Sequence, residues 1–223
     1  MQDLDECSRM AAFARELGYR VVGITLPASL PKEQGNKVKE VFVKAGLSTV
    51  SRVDLHVGSR RELLAAIRRI RPDFELVAVL CGDQAIVRHA TRDRRVDILY
   101  FDIKNRRSLA YLRMLRNAKP GVELNLCDLL NLQATAPSFS FMHELVERVI
   151  SVGARVVVSS GARQVRDMRA PLDVVSLISE IVEDGREAMT AVSTNPMSLV
   201  QHRQSKSGSR PLEEGVKVLK RAR

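Results

Sequence analysis

The chain has 223 residues, 45% of them apolar, enough to bury the core of one large domain or two small ones. Thirty-six Lys and Arg against 26 Asp and Glu give a formal charge of +10, which points to a polyanionic partner. No apolar run approaches the ~18–20 residues needed to cross a bilayer, and the first ten residues do not form a signal peptide, so a cytoplasmic protein without a membrane partner is expected. The three cysteines, Cys7, Cys81 and Cys127, lack a Cys-x-x-Cys spacing, which argues against a disulfide framework and a cysteine-rich zinc site.

Leu4 to Leu17 has helical spacing and ends at Gly18; Tyr19 to Leu26 then reads as a strand. Val38 to Ala45 gives a short helix closed by Gly46, and Leu47 to Val57 a second strand. Ser59 and Glu62 form a capping box for a helix from Arg60 to Ile70, which must end before Pro72. Phe74 to Leu80 is a third strand and Asp83 to His89 a short helix. Val96 to Phe101 is a fourth strand, followed by a helix that Ser108 caps and that runs through Leu115. Val122 to Leu126 is a fifth strand, and Ser138 caps a helix from Phe139 to Val152. The apolar run Val156–Val158 is a buried strand; beyond its Ser159-Ser160-Gly161 end comes an arginine-rich loop, then a helix opened by Pro171. Glu187 to Ser193 reads as a last strand, and Asn195-Pro196 starts a final helix through Gln201.

Short buried strands alternating with helices mean a parallel sheet. The repetition predicts an α/β fold: a TIM-like (β/α) barrel of seven to eight parallel strands, its first strand reduced to Met1–Leu4 or missing. No Gly-x-Gly-x-x-Gly follows any strand, which weakens the dinucleotide-binding alternative. The barrel domain is expected to span residues 1–202. A flexible basic tail, polar from Gln204 to Pro211, follows over residues 203–223.

Little in the chain prepares for catalysis. His56, His89, His143 and His202 are scattered singly, with no His-x-His or His-Glu-x-x-His, so no metal site and no catalytic group is expected. The strand end Ser159-Ser160-Gly161 lacks the flanking glycine of a nucleophile elbow; its small residues suit a tight turn that exposes backbone N–H groups to phosphate. Arginines dominate the basic clusters, and their planar forks suit bidentate phosphate contacts. Lys104, Arg106 and Arg107 follow the fourth strand, while Arg163, Arg166 and Arg169 follow Ser160, so both groups should share the C-terminal face of a parallel barrel. A third group, Arg88 to Arg95, should lie on the opposite face. Aromatics are only 4% of the chain, which favours backbone and shape recognition of structured RNA over base stacking.

The Ser159-Ser160-Gly161-Ala162 strand end, followed by Met168-Arg169-Ala170-Pro171-Leu172-Asp173-Val174-Val175-Ser176-Leu177, resembles a signature of the archaeal ribonuclease P protein component 3 family, relatives of the eukaryotic thirty-kilodalton subunit. Ala191 to Pro196 is similar to the segment where that family's last strand meets its last helix. The chain departs from the family in having no histidine after the fourth strand, at Ser108-Leu109-Ala110-Tyr111, and no arginine near Phe139.

The resemblance implies a barrel akin to the polymerase and histidinol phosphatase phosphoesterases without their histidine-rich metal site. It also implies a subunit of ribonuclease P, which removes the 5′ leader of precursor tRNA with chemistry carried by the RNA subunit. It implies contact with the RNase P RNA, indirect contact with precursor tRNA, and pairing with a small partner subunit as a heterodimer or heterotetramer among the other protein subunits. No cofactor is expected on this chain, and Mg2+ is expected for the RNA of the holoenzyme. The expected RNA- or partner-binding residues are Lys104, Arg106, Arg107, Ser159, Ser160, Arg163, Arg166, Arg169 and Asp173, with Asp173 orienting Arg169. Two rival readings are a metal-dependent phosphoesterase on the same barrel, using Asp97, Asp102 and His56, and a barrel enzyme with a compact pocket for a phosphorylated metabolite.

Overall fold

A computed structural model describes residues 4–102, 105–116, 118–131 and 136–207. Six parallel strands lie side by side in chain order: β1 (Val21–Thr25), β2 (Ser48–Leu55), β3 (Leu76–Leu80), β4 (Ile98–Tyr100), β5 (Gly121–Asn125) and β6 (Val156–Ser159). The helices are α1 (Leu4–Glu16), α2 (Lys32–Lys44), α3 (Arg60–Ile70), α4 (Gln84–Ala90), α5 (Leu126–Asn131), α6 (Ala136–Ser151), α7 (Pro171–Val182), α8 (Gly185–Val192) and α9 (Thr194–Ser207). Two 3-10 segments, Arg106–Leu115 and Val165–Asp167, follow β4 and β6.

Local chemistry sets several of these boundaries. Ser59 Oγ accepts from the Glu62 backbone N–H at 3.2 Å, and Glu62 reaches back to the Gly58 N–H, so one orphan donor of the first α3 turn and one just before it are satisfied. Asp83 caps α4 through the Ala85 N–H at 2.7 Å, and Asp184 caps α8 through Arg186 and Glu187. Pro171, which has no N–H to satisfy, stands at the start of α7.

The alternation of side chains along each strand divides the apolar residues between two layers. On the outer face, Val53, Val77, Val79, Leu99, Val122, Leu124 and Val158 pack against Leu63, Ile67, Leu112, Phe141, Leu145 and Ile178 of the surrounding helices. On the inner face, Val50, Leu76, Ala78, Ile98 and Val157 pack against Leu199 and Val200 of α9. Asn195 Nδ2 donates to the Val156 carbonyl at 2.8 Å, and Arg155 Nη1 donates to Ser198 Oγ at 3.0 Å. Thus α9 fills the N-terminal half of the concave side, and the sheet curls around it.

The expected barrel is therefore shorter by one or two strands: six are present among the described residues, in a curled half-barrel. The expected strand from Glu187 to Ser193 is helix α8. Ala188 and Ala191, three positions apart, are fully buried on one side of it, and Met189 faces outward; the small residues allow close packing against α7. The expected remnant strand Met1–Leu4 is replaced at Leu4 by the start of α1, and residues 1–3 lie outside the described residues.

Among the described residues β1 and β6 do not pair. Side chains bridge that gap instead: the Tyr19 hydroxyl donates to the Arg169 carbonyl at 2.9 Å, and Glu6 accepts from the Val165 N–H at 3.1 Å. Met168 joins the apolar cluster of α1, α2 and β1. The stretch expected as a regular helix after β4 is the 3-10 segment, and Ser108 Oγ donates to the Asn105 carbonyl at 2.6 Å instead of capping it. Helix α9 continues to Ser207; residues 208–223, most of the expected tail, lie outside the described residues.

Candidate functional site

All six strands point the same way, so the loops that leave their C-terminal ends form one face. Ser159 is the last residue of β6, and its Oγ is buried without a hydrogen-bond partner among the described residues. Ser160 Oγ accepts from the Ala162 N–H at 3.3 Å, and its carbonyl accepts from the Cys127 N–H at 3.1 Å. Gly161 has φ +59, and a Cβ there would stand 2.1 Å from Asn125 Oδ1 at the end of β5. Only glycine meets both demands, so the chain can turn sharply against β5.

Beyond this turn the basic loop is held by its backbone. Asp167 Oδ2 accepts from the Arg163 N–H at 3.1 Å, and Glu6 holds the Val165 N–H. Arg169 Nη1 donates to the carbonyls of Arg166 and Met168, both at 2.7 Å. No ion pair joins Arg169 to Asp173 among the described residues, so the expected orienting role of Asp173 is taken by these carbonyls, which lie closer along the chain. Asp173 is exposed in the first turn of α7, and burial together with its charge raises the Tyr19 hydroxyl above its ordinary pKa.

The side chains of Arg163, Arg166 and Arg169 are exposed, and so is that of Arg107 in the first turn of the 3-10 segment after β4. Both loops leave the C-terminal ends of their strands, as expected. Lys104 and the Arg106 side chain lie outside the described residues. Asp102 and Asp128 are exposed at the same end of the sheet, so the face carries both signs of charge.

Inside the mouth lies a polar layer that the motif search missed. Arg52 on β2 donates through Nη1 and Nη2 to both carboxylate oxygens of Glu123 on β5, the second contact at 2.7 Å, and its Nε donates to Asp54 Oδ1 at 2.6 Å. Burial alone would lower the pKa of this guanidinium; Glu123 and then Asp54 overcome that and raise it above its ordinary value. Beside them the Tyr100 hydroxyl and His56 Nε2 lie 2.6 Å apart. Burial, then the carboxylates of Asp54 and Glu123, push the Tyr100 hydroxyl well above its usual range, so it stays protonated. The available signal was polar residues two apart within buried strands, Arg52 with Asp54 and Glu123 with Asn125.

The trio required by a phosphoesterase does not assemble. Asp97 lies just before β4, buried, where its Oδ2 accepts from the Val77 N–H at 2.8 Å and from Arg71 Nη1 at 2.5 Å. Asp102 lies beyond the other end of the same strand, about 16 Å along an extended chain, and His56 bonds to Tyr100. Among the described residues no group of three or more His, Cys, Asp and Glu could hold a metal ion. No helix among them is long and apolar enough to cross a membrane.

Known proteins place this geometry. A chain in a cryo-EM structure of archaeal ribonuclease P with mature tRNA superposes with a TM-score of 0.79 at 18% identity, covering 100% of this chain and 97% of that one. The ribonuclease P protein component 3 of Methanothermobacter thermautotrophicus is 23% identical over 98% of this chain and 92% of its own length. That of Methanosarcina barkeri is 24% identical over 95% of this chain and 88% of its own length. The family model for RNase P subunit p30 matches residues 1–208, nearly the whole chain. The chain belongs to the RNase P subunit p30 family.

Proposed function

We propose that the chain serves as a protein subunit of ribonuclease P, binding the RNase P RNA and a small partner subunit to support removal of the 5′ leader from precursor tRNA. The observation that carries this reading, beside family membership, is the exposed set Arg107, Arg163, Arg166 and Arg169 at one end of the sheet, three of them on a loop whose backbone is tethered. A tethered loop loses less entropy when its side chains engage a polyanion, and guanidinium forks match phosphate oxygens. Lys104 and Arg106 belong to the same proposed surface. Asp173 adds a carboxylate for a partner protein, and Ser159 and Ser160 shape the turn.

The chain itself is proposed to be non-catalytic and to bind no cofactor; the reaction chemistry resides in the RNA subunit with its Mg2+, in the cytoplasm. The arrangement of Asp97, Asp102 and His56 supports this over a phosphoesterase.

The test is to replace Lys104, Arg106, Arg107, Arg163, Arg166 and Arg169 together with alanine and to measure RNA affinity across a salt series. Each lost phosphate contact should reduce the slope of log affinity against log salt by roughly 0.7–0.9. Added to the RNA subunit and partner proteins, the unsubstituted chain should raise precursor-tRNA cleavage and the variant should raise it less. An unchanged slope together with unchanged cleavage would remove these loops from the binding surface.

A further inference from the structure

At the opposite end of the strands a second basic site stands apart from the loops just described. Arg88 lies on α4 and Arg92 just past its exit, one helical turn apart; Arg113 and Arg116 lie at the end of the 3-10 segment that packs against α4. Together with Thr91 and Met114 they line an open cavity of about 370 Å³. Among the described residues no acidic side chain lines it, and all four arginines are exposed. The nearby carboxylates are already engaged. Asp93 is held by Arg95 through Nε at 2.9 Å and Nη2 at 2.6 Å, and Asp97 is buried against Arg71. Burial first, and then the charges of Arg60, Arg88 and Arg92, lower the pKa of the neighbouring His89.

We propose that Arg88, Arg92, Arg113 and Arg116 form a second RNA-binding site that seats backbone phosphates of a structured RNA at the N-terminal end of the sheet. Two pairs of guanidiniums on two elements, with no carboxylate between them, fit a run of phosphates better than the single phosphate of a metabolite. Among the described residues the lining has no aromatic side chain on which a base could stack, so the site reads the backbone of folded RNA and not an unpaired sequence.

The site lies outside the surface assigned to Arg107, Arg163, Arg166 and Arg169, and only the identity of the RNA rests on the ribonuclease P reading. The experiment compares the full chain, a variant with Arg88, Arg92, Arg113 and Arg116 replaced by alanine, and a variant with the same four replaced by lysine, each titrated with RNase P RNA across a salt series. The alanine variant should lose roughly 0.7–0.9 of slope for each phosphate released, while the lysine variant should keep most of it. That loss should add to the loss from the C-terminal loop variant. If only the N-terminal set changes the slope, the C-terminal assignment fails alone and this one stands. An unchanged slope in the alanine variant overturns the proposal, as does loss of partner-subunit binding with RNA affinity intact, the signature of an acidic protein surface. Should the fourfold variant not fold, the pairs Arg88→Ala with Arg92→Ala and Arg113→Ala with Arg116→Ala are each expected to remove about half of the slope change.

Discussion

Arg52 on β2 and Glu123 on β5 hold each other across the inside of the sheet, although β3 and β4 lie between their strands. In a flat sheet those strands would be about 14 Å apart, too far for a bidentate contact between two side chains on the same face. The pair therefore records the curl of the half-barrel. It also explains how the C-terminal half of the concave side can be polar while α9 fills the N-terminal half with Leu199 and Val200.

Removing one partner of this pair leaves a buried charge short of its counter-charge. Glu123→Ala should destabilise the fold by about 3 kcal/mol, the lower end of the range for broken buried pairs because Asp54 still holds Arg52 Nε. The double variant Arg52→Met with Glu123→Leu should lose less than Glu123→Ala alone, since both charges of the pair are gone and only the half-buried Asp54 loses a partner. Urea unfolding of the two variants checks both statements.

Gly161→Ala should be costly for two separate reasons. The residue has φ +59, and a Cβ would collide with Asn125 Oδ1, which accepts from the Asp128 N–H at 3.3 Å. A loss of about 2 kcal/mol or more is expected, together with weaker RNA binding, because the turn aims the Arg163–Arg169 loop. Thermal unfolding and the salt series would show the two effects. A variant as stable as the parent would mean that the turn relaxes freely.

His143 on α6 donates from Nδ1 to the Ile181 carbonyl at 2.8 Å, near the C-terminus of α7. This hydrogen bond, helped by Glu147 and Glu183 and opposed by burial, raises its pKa above the ordinary value. A histidine raised in the folded state stabilises fully below its unfolded pKa of about 6.5, and that contribution disappears as pH rises through the folded pKa. The stability gap between the parent and His143→Gln should therefore be widest near pH ~5.5 and narrow by pH ~8, as urea unfolding at the two pH values would report.

Much of the fold was legible because its signals are local. The cap of α3 at Ser59, the start of α7 at Pro171 and the apolar runs of β3 and β6 all depend on residues within about four positions of one another. The shared face of Arg107 and the Arg163–Arg169 loop followed from strand direction alone. Glu187–Ser193 was misread because a short apolar run fits strand and helix equally. The decision came from Asp184 at its N-terminus and from the packing of Ala188 and Ala191 on α7.

The sequence by itself determined the alternation of strands and helices, the positive balance and the Ser-Ser-Gly to Arg-x-Pro-x-Asp fingerprint. Those properties reside in composition and short-range spacing. Only the tertiary structure decided how many strands the sheet has and which charges are spent. Arg52 and Glu123 are 71 positions apart and neutralise each other, and Arg71 is committed to Asp97. Arg88 and Arg116, indistinguishable from them in sequence, face solvent without a carboxylate in the cavity they line. Whether an arginine braces the fold or faces a partner depends on which carboxylate the folded chain brings within reach, and no local pattern encodes that distance.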